Sequence, residues 1–469
     1  MNVNQVYTIL NSVAKQIYGS DDVNITNLQG IISLGNDVLS SDTTKDKFLN
    51  TLVDRIGKTI VSTRAYSSNV ADLINDSFAY GAILQKIYVE PIKASKSETW
   101  DLINGNAVDQ YIISKPTAKQ KLFSIRTTWE TDITIPDFQL SSAFTSAEEM
   151  SAFINAIWTA VQNSQEVYLS GMAEMCYANL IGERIVDTVL NSGNTVINLL
   201  EMYENIYNRG LTPEKALHDP DFLKFSSMQI NLFVKKLEKM TTIFNSEGYA
   251  RFTPKDRLRI YLLADYSTAT ASYLESVTFH NELVALPKFK ELPYWQGIGK
   301  KTNFEQTSKI NVRTSSGYSL VQDNIIAVLC DEEAIGLTYD NCRSKSAYNS
   351  KGEYTNYFLK SDVGYFNDLS ENAIIFTIGA LAVPTTDTTD KELYTIAKST
   401  DLDIVATLNG SETITGVIIN SNKIDSSHVT ISGHNVKIKF SSLDYDIGTY
   451  AACLELSNNA LIPFTITIE

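Results

Sequence analysis

The sequence predicts an α+β chain built from several parts, and three observations carry that prediction. A run of β-type alternation is too long for an ordinary hairpin, a long helical run follows it, and the final segment is made of short, regularly spaced β-type runs. At 469 residues the chain exceeds what one ordinary core can hold, so two or three domains are expected. Its 43% hydrophobic and 20% charged residues are those of a folded protein.

Residues 1–66 read as an N-terminal arm. Polar runs such as Ser40-Ser41-Asp42-Thr43-Thr44 give way to Phe48-Leu49-Asn50-Thr51-Leu52-Val53-Asp54-Arg55-Ile56, a short helix closed by Gly57. Residues 67–143 read as an extended β-hairpin loop with its flanks. Ile83, Gln85, Ile87 and Val89 alternate with Leu84, Lys86 and Tyr88, and Phe123, Ile125, Thr127, Trp129, Thr131, Ile133 and Ile135 form a second alternating run. At roughly 3.3 Å per residue the second run reaches about 40 Å. A two-stranded ribbon of that length has little core of its own and should dock on a neighbouring surface; the plainer reading is a hairpin within an ordinary sheet.

Residues 144–190 carry the clearest helix. Ser146-Ala147-Glu148-Glu149 is a capping box, apolar residues recur from Met150 through Ile157, Val161, Met172 and Cys176, and Gly182 is the expected end, with Gly171 a candidate bend. Residues 191–335 mix helical stretches (198–208, 226–244, 257–263) with strand-like ones (259–263, 324–329), the window at 259–263 fitting both. Lys235, Lys236, Lys239, Arg251, Lys255, Arg257 and Arg259 make this the most basic window, either a solvated face or a phosphate-facing patch. Residues 336–380 add further strands. After the polar stretch 384–390, residues 381–469 read as a β-sandwich in which Asp446-Ile447-Gly448-Thr449-Tyr450 has the look of an immunoglobulin-type tyrosine corner.

Motifs for chemistry are missing. Four cysteines and four histidines are scattered without metal-ligand spacing, so no metal, cofactor or disulfide is assigned. Gln296-Gly297-Ile298-Gly299-Lys300-Lys301-Thr302 fails as a phosphate loop, because Tyr294 stands at the leading glycine position and Lys301 at the hydroxyl position. No G-x-S-x-G elbow occurs. A net charge of −15 argues against gripping nucleic acid through phosphates, yet suits a wall that merely surrounds it. The N-terminal sequence has no export signal and no stretch is apolar enough to span a bilayer, so a soluble protein made in a cytoplasm is expected, not an enzyme.

Four strings carry a resemblance in order along the chain: Leu52-Val53-Asp54-Arg55-Ile56-Gly57; Phe153-Ile154-Asn155-Ala156-Ile157 through Asn163-Ser164-Gln165-Glu166-Val167; Tyr339-Asp340-Asn341 through Asn349-Ser350-Lys351-Gly352-Glu353-Tyr354; and Glu371-Asn372-Ala373-Ile374-Ile375-Phe376. Through these the chain resembles the major capsid proteins of small, short-tailed phages of the phi-twenty-nine kind. The resemblance implies the Hong-Kong-97-type capsid fold: an N-terminal arm, an extended hairpin loop, a spine helix in a peripheral domain, an axial domain over 191–335, and peripheral strands over 336–380, here with a C-terminal immunoglobulin-like β-sandwich. It further implies a homo-oligomeric shell of hexamers and pentamers enclosing double-stranded DNA without sequence-specific binding. Scaffolding and portal proteins are the implied partners, with assembly in the host bacterial cytoplasm and residence in the virion. Tyr88, Trp100, Arg126 and Trp129 are the candidate assembly contacts. An encapsulin-type cargo compartment shares the fold, and a surface binding protein with an immunoglobulin domain is the alternative of a different class.

Overall fold

The computed structural model describes residues 84–92, 115–123, 126–137, 147–277, 289–297, 303–420 and 422–469, with isolated positions between and before them. The arm with its short helix at 48–57, apart from Asn11, Ala14, Leu34 and Val38, and the box residue Ser146 lie outside the described residues. The chain condenses into two units.

In one unit, strands Ile335–Asn349, Tyr354–Asn367 and Arg126–Pro136 form a three-stranded sheet in that order. Arg126–Pro136 runs antiparallel to Tyr354–Asn367 along its whole length, from Tyr354 opposite Pro136 to Gly364 opposite Arg126. Of the two readings of the long alternating run, a docked ribbon or part of an ordinary sheet, the second describes Arg126–Pro136. That half of the run finds a partner of matching length, and the ladder buries Ile135, Tyr357, Leu359 and Val363.

The long helix is Ala147–Asn191, 45 residues, about 68 Å at 1.5 Å per residue. Gly182, expected to end it, lies inside it. A Cβ there would sit 2.9 Å from Val312 Cγ1 and 2.9 Å from Thr314 Cγ2, so the glycine admits a neighbouring hairpin and the helix continues past it. That hairpin, Ile310–Arg313 paired with Ser319–Gln322, is clamped at its turn. Asn179 Nδ2 donates to Ser315 Oγ (3.0 Å), and Glu183 accepts from the Ser316 N–H and Oγ (2.7 Å each).

The other unit centres on a mixed five-stranded sheet, in the order Val196–Asn198, Ala373–Thr377, Ile325–Asp331, Leu258–Leu263, Lys290–Leu292. The three middle strands are antiparallel and each outer strand runs parallel to its neighbour. All seven residues of Ile325–Asp331 are buried, as a central strand covered by helices requires. Helices Leu199–Tyr207, Pro220–Leu237 and Ala264–Val277 contribute Tyr203, Phe222, Phe233 and Tyr266 to the same core as Phe376.

Local signals set the boundaries. Asn198 accepts from the Glu201 N–H (3.1 Å) and Asn208 closes that helix at φ 49°, matching the expected 198–208. The helix expected over 226–244 begins earlier, because Asp219 accepts from the Phe222 N–H (2.9 Å) and Pro220 takes the first turn. The ambiguous window at 257–263 is a strand, since both its edges are occupied by other strands. In the basic window Lys235, Lys236, Lys239 and Lys255 are exposed, the solvated face expected, while the arginines are taken up by carboxylates: Arg251 pairs with Glu371 (3.0 Å), Arg257 with Glu332 (3.0 Å) and Arg259 with Glu332 (3.4 Å).

The C-terminal segment folds as two sheets sharing one core. One runs Thr388–Thr389, Leu402–Thr407, Asn435–Ile438, Val429–Ser432; the other runs Leu393–Ile396, Leu461–Ile468, Gly448–Leu456, Ile414–Ile419, Asn422–Lys423. Alternation puts Ile404, Val436, Ile438, Val417, Leu454, Phe464 and Ile466 between them. The corner read at 446–450 is formed, with Tyr450 Oη donating to the Asp446 carbonyl (2.7 Å). The polar stretch before it is fixed in place. Thr385 and Ser319 exchange backbone hydrogen bonds (2.6 and 2.9 Å), and buried Asp387 accepts from Thr385 Oγ1 (2.8 Å) and the Asn409 N–H (2.7 Å).

Candidate assembly interface

Strands Leu84–Val89 and Ala118–Phe123 form a two-stranded sheet of their own among the described residues. Period-two alternation gives such a ribbon two faces. One carries Ile87, Val89 and Leu122, which are 65%, 54% and 58% exposed. The other carries Lys86, Tyr88 and Lys121, and this charged face is the one turned onto the subunit. The usual polarity of a surface ribbon is inverted.

Long-range acidic groups explain the inversion. Lys86 Nζ donates to the Glu333 carbonyl (2.7 Å) and lies 3.1 Å from Asp368 Oδ2, 3.5 Å from Glu333 Oε2 and 3.6 Å from Glu371 Oε1. Lys121, from the other strand, lies 3.0 Å from Asp368 Oδ1 and also pairs with Glu247. Asp368 therefore holds both strands. Tyr88 stacks on Tyr249 with ring centroids 4.8 Å apart and planes 8° from parallel, and its hydroxyl donates to the Ala250 carbonyl (3.2 Å). Arg251 sits over the Tyr88 ring at 4.6 Å while pairing with Glu371.

The site is held from beneath. Fully buried Arg184, from the long helix, donates to Ser246 Oγ and the Glu371 carbonyl (2.7 Å each). Burial lowers its guanidinium to about 10 against the opposing pull of Asp187 and Asp368. Burial by itself would raise the Asp368 carboxyl, but Lys86, Ser370 and Lys121 outweigh it and bring it down to about 2. Glu371 goes the other way, raised by burial and by Asp331 and Asp368 against the pull of Lys86 and Arg251. Burial also works against the Lys121 ammonium, yet Glu247 and Asp368 leave it raised. The arrangement suits binding and positioning.

The four residues expected to make assembly contacts are not brought together as one group. Tyr88 is engaged within its own subunit, as above. Trp129 packs against Tyr168 of the long helix, centroids 4.9 Å apart. Trp100 lies outside the described residues, and of Arg126 only the backbone is described, opposite Gly364. Sequence reasoning missed Lys86, Lys121, Asp368 and Glu371; the signal available was that lysine and tyrosine, not isoleucine and valine, fall on one face of the first strand.

Other candidates from the sequence are occupied or inert. The Gly297 N–H, which a phosphate would need, donates to Glu174 Oε2 (2.5 Å). Cys176, Cys330 and Cys453 are buried free thiols, each pushed by burial up to about 12. Among the described residues no cluster of His, Cys, Asp and Glu could hold a metal ion, and no helix is long and apolar enough to cross a membrane.

The major capsid protein of Bacillus phage GA-1 is 21% identical over 389 residues, covering 81% of this chain and 71% of the relative. That of Bacillus phage B103 is 26% identical over 389 residues, covering 81% and 74%. Among solved structures, the capsid of Staphylococcus phage Andhra aligns with a TM-score of 0.41 at 9% identity, over 67% of this chain and 84% of that one. The mature capsid of bacteriophage PhiM1 aligns with a TM-score of 0.36 at 8% identity, over 66% and 87%. The family described as Phi29-like phage major capsid protein matches residues 8–377, which takes in the ribbon, the long helix and the five-stranded sheet and stops short of the C-terminal sandwich. The chain belongs to that family of phage major capsid proteins.

Proposed function

We propose that this chain assembles into hexamers and pentamers that close a Hong-Kong-97-type head around double-stranded DNA, without sequence-specific binding to it and without enzymatic activity. The inverted ribbon carries the reading. A two-stranded sheet that turns lysines onto its own subunit and leaves Ile87, Val89 and Leu122 to solvent is complete only when a neighbouring copy covers that apolar face. In this reading residues 67–143 are the extended loop and flanks, 144–190 the spine helix, 191–335 the axial domain and 336–380 the peripheral strands, with the arm over 1–66. Tyr88, on the inner face of the ribbon, is a candidate contact, as are Trp100, Arg126 and Trp129. Scaffolding and portal proteins are the proposed partners in the host cytoplasm, and the virion is the final location.

Residues 381–469 are proposed as an immunoglobulin-like domain, on the strength of the tyrosine-corner hydrogen bond and the two-sheet core. A cargo-compartment shell is not favoured, because the relatives that match are phage major capsid proteins.

Negative-stain electron microscopy of the purified protein with its scaffolding partner tests the reading. Closed shells or capsomers are expected; compact monomers alone under all conditions would overturn it. Removing residues 88–123 should block assembly and leave a folded subunit, and loss of the fold itself would contradict the docking role of the ribbon.

A further inference from the structure

We propose that Asp368 keys a charge latch that fixes both ribbon strands on their own subunit, so that the apolar outer face is presented to a neighbouring copy already oriented. The second half of this inference rests on the assembly reading above; the latch itself does not.

Three features of the ribbon base lead there. The underside meets the subunit through one aromatic stack, Tyr88 on Tyr249, and a small set of directional charged contacts, and these fix its angle. Those contacts converge: Lys86 from one strand and Lys121 from the other meet the two oxygens of a single carboxylate whose side chain is fully buried. Every element packed against them supplies charge. Glu247 and Arg251 come from the segment before Leu258–Leu263, Asp331 and Glu333 from the end of Ile325–Asp331 and the turn after it, and Asp368 and Glu371 from the loop before Ala373–Thr377. By contrast the Lys119–Glu90 pair (2.7 Å) lies within the ribbon and would travel with it.

A latch of this kind has a physical use. A strap free to sample many angles loses that freedom when a neighbour captures it, and the loss weakens association; a strap already held at one angle avoids it. Ion pairs of this buried, convergent sort give one geometry, where a greasy underside would allow sliding.

The test uses the full-length subunit with spin labels at Val89→Cys and Lys255→Cys, both exposed and outside the latch, in a Cys342→Ser background, read by pulsed electron–electron distance measurement. The expected result is a single narrow distance peak, retained in Glu90→Gln and lost in Asp368→Asn and in Lys86→Met/Lys121→Met while circular dichroism stays native. A broad distribution in the unmodified latch, or a narrow one in both latch variants, overturns the proposal. Unfolding of Asp368→Asn alone leaves the double lysine variant to decide, and unfolding of both would make these residues part of the core and overturn the latch. In assembly assays the latch variants are expected to need higher protein concentration to form shells, with the outer face intact. Ile87→Ser should instead abolish shells and keep the narrow peak. Latch variants that lose the peak but assemble at the same concentration as the parent would overturn the pre-orientation claim and leave the assembly reading standing.

Discussion

The ribbon base and the C-terminal sandwich solve the problem of holding a sheet in opposite ways. In the sandwich, alternation sends Ile404, Val436, Leu454 and Phe464 inward against one another and sets Asp403, Lys437 and Thr449 on the outer side. It is finished within one chain. In the ribbon, lysines and a tyrosine face inward and isoleucine, valine and leucine face out. A sheet that looks inside out on a subunit is the surface we propose a neighbouring copy covers.

The largest effect that separates the two regions is expected from Phe464→Ala. Phe464 is 3% exposed and edge-on to Tyr394 at 5.7 Å, so the truncation should cost about 3–5 kcal/mol in chemical unfolding of the subunit. A cost near zero would mean that the sandwich is not held by its core.

Next in size is Asp368→Asn. A carboxyl lowered from 3.8 to about 2 contributes on the order of 2–3 kcal/mol, since one pKa unit is about 1.4 kcal/mol. That contribution is fully present above about pH 4, the ordinary range of an aspartate, and is lost as pH falls toward 2, where the folded-state group protonates. The stability gap between parent and variant should therefore close between pH 4 and 2. A gap that persists at pH 2 would show that the carboxylate charge is not what holds the ribbon.

Tyr450→Phe removes the single corner hydrogen bond to Asp446 and is expected to cost about 1 kcal/mol, read as a lowered melting temperature of the sandwich. Ile87→Ser sits at the small end: at 65% exposure it should change subunit stability by less than about 0.5 kcal/mol, even though assembly fails. The pairing of a negligible stability effect with lost assembly sharpens the contrast most, and a large stability loss would break it.

Much of this architecture was legible because it is local. The period-two runs, the long helix, the Asn198 and Asn208 caps and the tyrosine corner each depend on residues close together in sequence. What was not legible depends on distant pairs. Lys86 reaches partners at Glu333, Asp368 and Glu371, so the sequence near the ribbon says that it has two faces but not which one turns inward. The same holds for Gly182, which reads as a helix end until the hairpin at 310–322 arrives beside it. The long alternating run is another case, since only the matching strand at 354–367 gives Arg126–Pro136 a home apart from Ala118–Phe123.

The hairpin at 310–322 has a mechanical consequence. One side is fastened to the long helix through Asn179, Gly182 and Glu183, and the other to the start of the terminal segment through Ser319 and Thr385. A pull on the sandwich would thus reach the helix through this short bracket as well as the five-stranded sheet through the chain that leaves Thr377. In a capsid, a load on the terminal domain would therefore be shared between two elements of the subunit rather than borne by one covalent link.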